Sequence, residues 1–178
     1  AGTFDGSQYF RRKRFLCRKR FGTFGGTQGH AEPAYRNLTE RKMNIQIICV
    51  GKLKEKYWTD AVSEYRKRLS RYCSMEIVEL KESRLPDKAS AADEENVKVE
   101  EGRAILKAVK DGTFVITLEI LGKQLSSPEL AEKLETLSLD GKSNVAFIIG
   151  GSLGLSAEVS KRSDFKLSFS KMTFPHQM

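Results

Sequence analysis

A glycine-rich turn is the feature of this sequence with the clearest chemical meaning. The apolar residues 147–149 lead directly into Gly150, Gly151 and Gly154 in the string FIIGGSLGLS, and a helix-like segment follows. Glycines at such a turn let backbone amides approach a ligand, and open α/β sheets bind ligands at the carboxyl ends of their strands. The spacing is neither G-x-G-x-x-G nor G-x-x-x-x-G-K-S/T, so it indicates neither a dinucleotide site nor a P-loop. A purely steric role for these glycines is the alternative.

Two further segments end predicted strands in loops. In TLEILGK (117–123) a predicted strand ends before Gly122, and in LSFSKMTFPHQ (167–177) another ends in a polar loop closed by Pro175. The carboxyl ends of parallel strands meet at one edge of a sheet. The sequence therefore predicts that three loops converge at that edge.

The elements that must position these loops alternate along the chain. Strands are predicted over residues 44–50, 75–80, 114–121 and 144–149, and helices over 55–71, 94–110 and 127–137, with loops over 81–93 and 122–127. Ser127 is the predicted N-cap of the third helix, with Pro128 at its first position and Glu129 in its first turn. This alternation predicts an α/β fold with a parallel sheet, in which the strand 144–149, apolar throughout after Asn144, is central.

The charge is concentrated at one end of the chain. The 31 Lys/Arg and 23 Asp/Glu give a net charge of +8, but residues 1–42 hold 10 basic and 3 acidic residues (+7), which leaves +1 for residues 43–178. Three interpretations of residues 1–42 are open: an arginine-rich arm for RNA with interleaved phenylalanines, a disordered solvated tail, or a segment foreign to the natural protein. We favour the last, because the chain begins with Ala1 and a different composition opens at Met43.

Composition also argues against several classes of protein. The longest apolar stretches have the length of strands, so no transmembrane segment and no secretory signal are predicted. Cys17, Cys49 and Cys73 are odd in number and form no C-x-x-C pair, which argues against a disulfide framework and a zinc module. We expect a cytoplasmic protein of one domain, residues 43–178, without a metal.

Four strings identify a family when they are taken together. VGKLKEKYW (50–58), TLEILGKQLSS (117–127), FIIGGSLGLS (147–156) and LSFSKMTFPHQM (167–178) resemble the SPOUT-class methyltransferases. Within that class, the sequence is similar to the enzymes that methylate N3 of a pseudouridine in 23S rRNA. The resemblance runs in order from residue 43 to residue 178.

The resemblance implies a homodimeric α/β fold with a C-terminal trefoil knot, binding S-adenosylmethionine between three loops. Carried over by position, the cofactor residues are Leu118, Gly150, Phe169, Ser170, Lys171, Met172, Thr173 and Phe174. No catalytic residue is implied, although N3–H of pseudouridine must lose its proton to a base or an ordered water. The implied substrate is the assembled ribosome, which suits a domain whose charge of +1 attracts naked RNA only weakly.

Each of these residues also has a simpler interpretation. Leu118 suits a strand core, Lys171 suits a solvated loop, and His176 is better explained as a structural donor after Pro175 than as a proton acceptor. The basic side chains of the helix over residues 55–71 suit either RNA phosphates or an ordinary solvated face.

The sequence departs from the family at its end. Members continue for about one more helix, so for a chain that stopped at Met178 the resemblance predicts a truncated domain, an incomplete knot and cofactor pocket, an exposed apolar surface and no useful activity. The competing function is a non-catalytic RNA-associated or nucleotide-binding α/β module, in which the basic residues 1–42 supply affinity.

Overall fold

The computed structural model describes residues 42–86 and 88–172 and shows a parallel five-stranded sheet flanked by helices. Strands and helices alternate as the sequence predicted, so the predicted α/β class is confirmed. In chain order the elements are β1 (Met43–Val50), α1 (Lys56–Leu69), β2 (Cys73–Leu80), α2 (Ala91–Ala108), β3 (Phe114–Gln124), α3 (Ser127–Leu139), β4 (Asn144–Ile149), α4 (Ala157–Arg162) and β5 (Phe165–Ser168).

The strand order is β2-β1-β4-β3-β5, and every pairing is parallel. β4 lies in the middle of the sheet, between β1 and β3, as its unbroken apolar sequence predicted. Because all five strands run the same way, their carboxyl ends lie at one edge, which we call the carboxyl edge.

The sheet buries side chains against helices on both of its faces. On one face Ile48 and Ile148 pack with Ile105 of α2 and Val159 of α4, and each of the four is almost completely buried. The other face has a second cluster in which Leu137 of α3 takes part. Residues that alternate along a strand point to opposite faces, which is why an uninterrupted apolar run such as NVAFII can supply both clusters.

α1 packs less deeply than the other helices. Its apolar residues recur at helical spacing, yet no residue of α1 is buried, and Tyr57 and Tyr65 are more than half exposed. Three basic residues in its last turn, Arg66, Lys67 and Arg68, complement the negative end of the helix dipole.

Two predicted helix starts were wrong by a few residues. α2 begins at Ala91 with Ser90 as its N-cap, so Asp93 belongs to the helix rather than to the preceding loop. α3 is capped by Ser126, and Ser127 is already helical. Both starts are capping boxes, in which the N-cap serine and the acid three residues later bond each other's backbone amides.

The end of β3 was also predicted wrongly. The strand continues to Gln124 instead of ending at residue 121, because its pairing with β5 shifts register and then resumes. Sequence patterns locate apolar runs well, but a strand that resumes after an irregularity has no such run to reveal it.

The α3 capping box gives a first test. Ser126→Ala removes the hydroxyl that accepts from the Glu129 amide, at 3.4 Å, and donates to the Glu129 carboxylate, at 2.6 Å. We expect a loss of about 1 kcal/mol in the free energy of unfolding, measured by urea denaturation at pH 7. The control is Ser127→Ala, for which we expect less than about 0.5 kcal/mol. Equal losses would contradict the assignment of Ser126 as N-cap.

The hydrogen bonds between Ser126 and Glu129 also predict how the stability of the protein depends on pH. Hydrogen bonds from Ser126 hold the pKa of the Glu129 carboxyl below its ordinary 4.5. A lowered folded-state pKa stabilises the protein above the unfolded value and loses that effect as the pH falls through the folded value. The stability difference between the wild type and Ser126→Ala should therefore shrink as the pH is lowered below 4.5.

Candidate functional site

Three neighbouring strands, β4, β3 and β5, end at the carboxyl edge and carry the three predicted cofactor loops. Leu118 of β3 pairs with Leu167 of β5, and Thr117 pairs with Ile148 of β4. Gly150 follows β4 directly, and Phe169 follows β5 directly. The structure thus brings Leu118, Gly150 and the start of the third loop to adjacent positions along one edge.

The first loop is an excursion of β3 from its pairing with β5. Both Leu118 and Lys123 pair with Leu167, so residues 119–122 leave the ladder and return to the same partner; we call them the β3 excursion. Gly122 lies directly on the β5 backbone, because a Cβ there would be 2.7 Å from the carbonyl carbon of Leu167. Leu118 is half-buried against the core, so its simpler interpretation as a core residue holds in part.

The second loop is the glycine turn, residues 150–155. The Gly154 amide donates to the Gly151 carbonyl at 3.0 Å, and Gly154 has a φ of +82°, a left-handed conformation that favours glycine. Gly150 is closely packed, since a Cβ there would lie 2.9 Å from the backbone carbon of Gly154. Ser156 then caps α4.

A buried carboxylate of α2 lies close to this turn. Glu101 is almost completely buried, and its Oε1 accepts from the Ser83 amide at 3.0 Å. A Cβ on Gly151 would lie 3.0 Å from its Oε2. Sequence reasoning missed this residue, although a signal was present: Val97, Glu101 and Ile105 are spaced four apart, which puts the acid on the apolar side of the helix.

The third loop begins at a buried serine. The Ser168 hydroxyl is placed to donate to the carbonyl oxygens of Ile120, at 3.0 Å, and Ser170, at 2.9 Å. Phe169 and Met172 are 70% and 69% exposed, and Lys171 is exposed, which agrees with its simpler interpretation as a solvated cation. Thr173, Phe174 and His176 lie outside the described residues.

Among its described residues, the edge offers apolar surface and backbone groups, and its cysteine is not activated. Burial raises the pKa of the Cys49 thiol, near the end of β1, and the Glu79 carboxylate adds to the effect. That thiol is therefore protonated near neutral pH. Among the described ranges, 42–86 and 88–172, no group of three or more His, Cys, Asp or Glu side chains could hold a metal ion.

The basic residues in the last turn of α1 lie apart from the three loops. Arg66 and Lys67 line an open depression together with Lys42 and with Cys73 and Met75 at the start of β2. The start of a parallel strand is the edge opposite to the carboxyl edge. These cations therefore do not contribute to the convergence of the loops.

Comparison with known proteins decides the family. The family model described as a predicted SPOUT methyltransferase matches residues 43–178. The chain belongs to the SPOUT methyltransferase family. It is therefore an enzyme of the methyltransferase class, and the resemblance inferred from the four strings is confirmed.

Individual relatives agree with this assignment. Proteins named ribosomal RNA large subunit methyltransferase H from Clostridium novyi, Alkaliphilus oremlandii and Clostridium kluyveri are 60%, 57% and 54% identical to this chain. Each match covers 136 residues, which is 76% of this chain and 86% of the relative.

No helix in the part of the chain that the structure describes has the length and apolar character needed to cross a membrane.

The glycine turn gives the second test. Gly150→Ala would push a methyl group into the Gly154 backbone, so we expect a loss of about 1–3 kcal/mol in the free energy of unfolding. The control is Gly154→Asn, which has open space around it and tolerates a left-handed conformation, so less than about 1 kcal/mol should be lost. Urea denaturation measures both, and a Gly150→Ala variant as stable as the wild type would show that the turn is looser than described.

Proposed function

We propose that this protein is an S-adenosylmethionine-dependent methyltransferase that acts on N3 of a pseudouridine in 23S rRNA of the large ribosomal subunit, in the cytoplasm. What supports this function is the meeting of three loops at one sheet edge, in a chain whose residues 43–178 match relatives named as ribosomal RNA large subunit methyltransferases.

The described residues at this edge suit such a cofactor. Half-buried Leu118 and exposed Phe169 and Met172 offer apolar surface to an adenine ring, and Gly150 and Gly151 leave backbone without side chains beside it. We propose that Leu118, Gly150 and residues 169–174 bind the cofactor, as the resemblance implies. When bound, S-adenosylmethionine supplies a methyl group on a positively charged sulfur.

The chain's own contribution to such a reaction is to position the reactants and exclude water. Methyl transfer is an in-line displacement, so holding the target nitrogen in line accounts for much of the rate enhancement. N3–H also loses its proton as the new bond forms, which requires a base or an ordered water. No metal is needed for this chemistry, and we propose none.

A methyl-transfer assay tests this function directly. Full-length protein is incubated with radiolabelled S-adenosylmethionine and either large ribosomal subunits that lack the modification or naked 23S rRNA. We expect label in subunits, located by nucleoside mass spectrometry at N3 of a pseudouridine, and little label in naked RNA, because residues 43–178, with a charge of +1, would have to recognise the shape of the assembled subunit.

Deletion of residues 1–42 separates this function from the alternative. A methyltransferase whose site lies within residues 43–178 should keep its activity within about twofold of the undeleted protein. A non-catalytic module with a basic arm would transfer no methyl group, and its salt-dependent RNA affinity would fall on deletion. The second result would overturn the proposed function.

We also propose a homodimer and a C-terminal trefoil knot, both implied by the resemblance. Support for the dimer comes from apolar side chains at the carboxyl edge: Leu121, in the β3 excursion, is 97% exposed, and Phe169, directly after β5, is 70% exposed. Exposed apolar patches favour association.

Leu121→Glu tests the dimer. A charge at this position should oppose burial against a second copy, so we expect the dissociation constant measured by sedimentation equilibrium to rise at least about tenfold. Tyr65→Glu on α1 serves as the control, because it adds the same charge to an exposed apolar side chain on another element. A wild-type protein that sediments as a monomer would contradict the dimer.

A further inference from the structure

A carboxylate at the start of the β3 excursion contacts β3, α4 and β5, each of which adjoins one of the three loops. The side chain of Glu119 is 23% exposed. Its Oε1 accepts from the Thr117 hydroxyl at 2.8 Å, and its carboxylate accepts from the Ser160 hydroxyl of α4 at 3.2 and 3.4 Å. The Lys166 ammonium of β5 lies 3.7 Å from Oε2.

These partners lead directly to the loops. Leu118 immediately precedes Glu119 in the first loop. α4, which carries Ser160, begins where the glycine turn ends, with Ser156 as its N-cap. β5, which carries Lys166, ends one residue before Phe169. One side chain therefore connects β3, the helix that follows the glycine turn, and the strand that precedes the third loop.

The donors around Glu119 also bond one another. The Lys166 ammonium donates to Ser160 Oγ, and Thr117 Oγ1 lies 2.8 Å from Ser163 Oγ. Thr117 is completely buried. A carboxylate that accepts two hydroxyl hydrogen bonds and faces an ammonium is held by its neighbours within the protein, which suits it to hold elements together rather than to take a proton from a substrate.

The rest of the excursion is fixed by different contacts. The Ile120 carbonyl accepts from Ser168, and the Gly122 backbone rests on β5. Both of these contacts join β3 to β5 alone. The contact at Glu119 also reaches α4, so it ties the glycine turn to the other two loops.

We propose that Glu119 is a positioning residue that sets the relative placement of the three loops and thereby the affinity for S-adenosylmethionine. This inference rests on the proposed function for its cofactor, but not for the connection between the loops. Hydrogen bonds to a charged group contribute more than neutral ones, so their loss should be measurable in binding.

Glu119→Gln tests the role with little change in size. The amide keeps a hydrogen-bonding capacity but presents no charge to Lys166. We expect the dissociation constant for S-adenosylmethionine, measured by calorimetry on full-length protein, to rise about tenfold. KM for the cofactor should rise in parallel, while kcat at saturating cofactor changes less than about twofold, because Glu119 acts through the loops.

Two further variants keep the result interpretable. Glu132→Gln removes the same charge from an exposed position on α3 and should leave the dissociation constant unchanged. Ser160→Ala removes one donor and keeps the carboxylate, so we expect a rise of about threefold even if Glu119→Gln folds poorly. An unchanged dissociation constant in both Glu119→Gln and Ser160→Ala would overturn the proposal.

Amide hydrogen exchange of the protein without cofactor separates this inference from the proposed function. In Glu119→Gln, or in Ser160→Ala if the former does not fold, amides of the β3 excursion, of residues 150–155 and of residues 169–172 should all exchange faster than in the wild type. Faster exchange confined to residues 119–122 would overturn the connection. If the wild type binds no S-adenosylmethionine, the proposed function fails, and this exchange pattern alone decides whether Glu119 connects the loops.

Discussion

The pairing of β3 between β4 and β5 is the constraint on which the site depends. Parallel strands end at the same edge, so this pairing puts Leu118 level with the end of β4 and with Leu167 of β5. The apolar contacts on both faces of the sheet hold the strands in that register, since a slip of one residue would turn buried side chains toward the wrong face. The apolar core thus brings the three loops to one edge, where the contacts of Glu119 and Ser168 connect them.

Much of this fold could be predicted because its central strands are apolar on both faces. The run 144–149 predicted β4 and its central place without any knowledge of its neighbours. Boundaries were harder to predict where two serines compete. Ser126 and Ser127 are chemically identical, but only Ser126 stands three residues before Glu129, which is the spacing of a capping box. The reciprocal bonds between Ser126 and Glu129 show that Ser126 caps α3.

The features of the site also divide into those that the sequence could predict and those that it could not. The glycine turn and the strand-ending loops have local signals, so their convergence followed from the parallel sheet. The supporting polar side chains have weaker signals, because their partners are distant in sequence. Glu119 contacts Ser160 and Lys166, which lie 41 and 47 positions later in the chain, and Glu101 accepts a hydrogen bond from the Ser83 amide. Composition and periodicity contain no information about such pairings. The roles of Leu118, Gly150 and residues 169–174 in binding also remain predictions.

The polar residues at the carboxyl edge follow from the β3 excursion itself. Residues 119–122 leave the ladder, and buried backbone groups that lose ladder partners need others. Ser168, almost completely buried, supplies a hydroxyl to the Ile120 carbonyl, and buried Thr117 supplies one to Glu119. At the Ile120 carbonyl, a side chain thus supplies the hydrogen bond that backbone pairing supplies elsewhere in the sheet. The shape of the edge therefore depends on a few hydroxyl and carboxylate side chains, whereas the register of the strands depends on the apolar core.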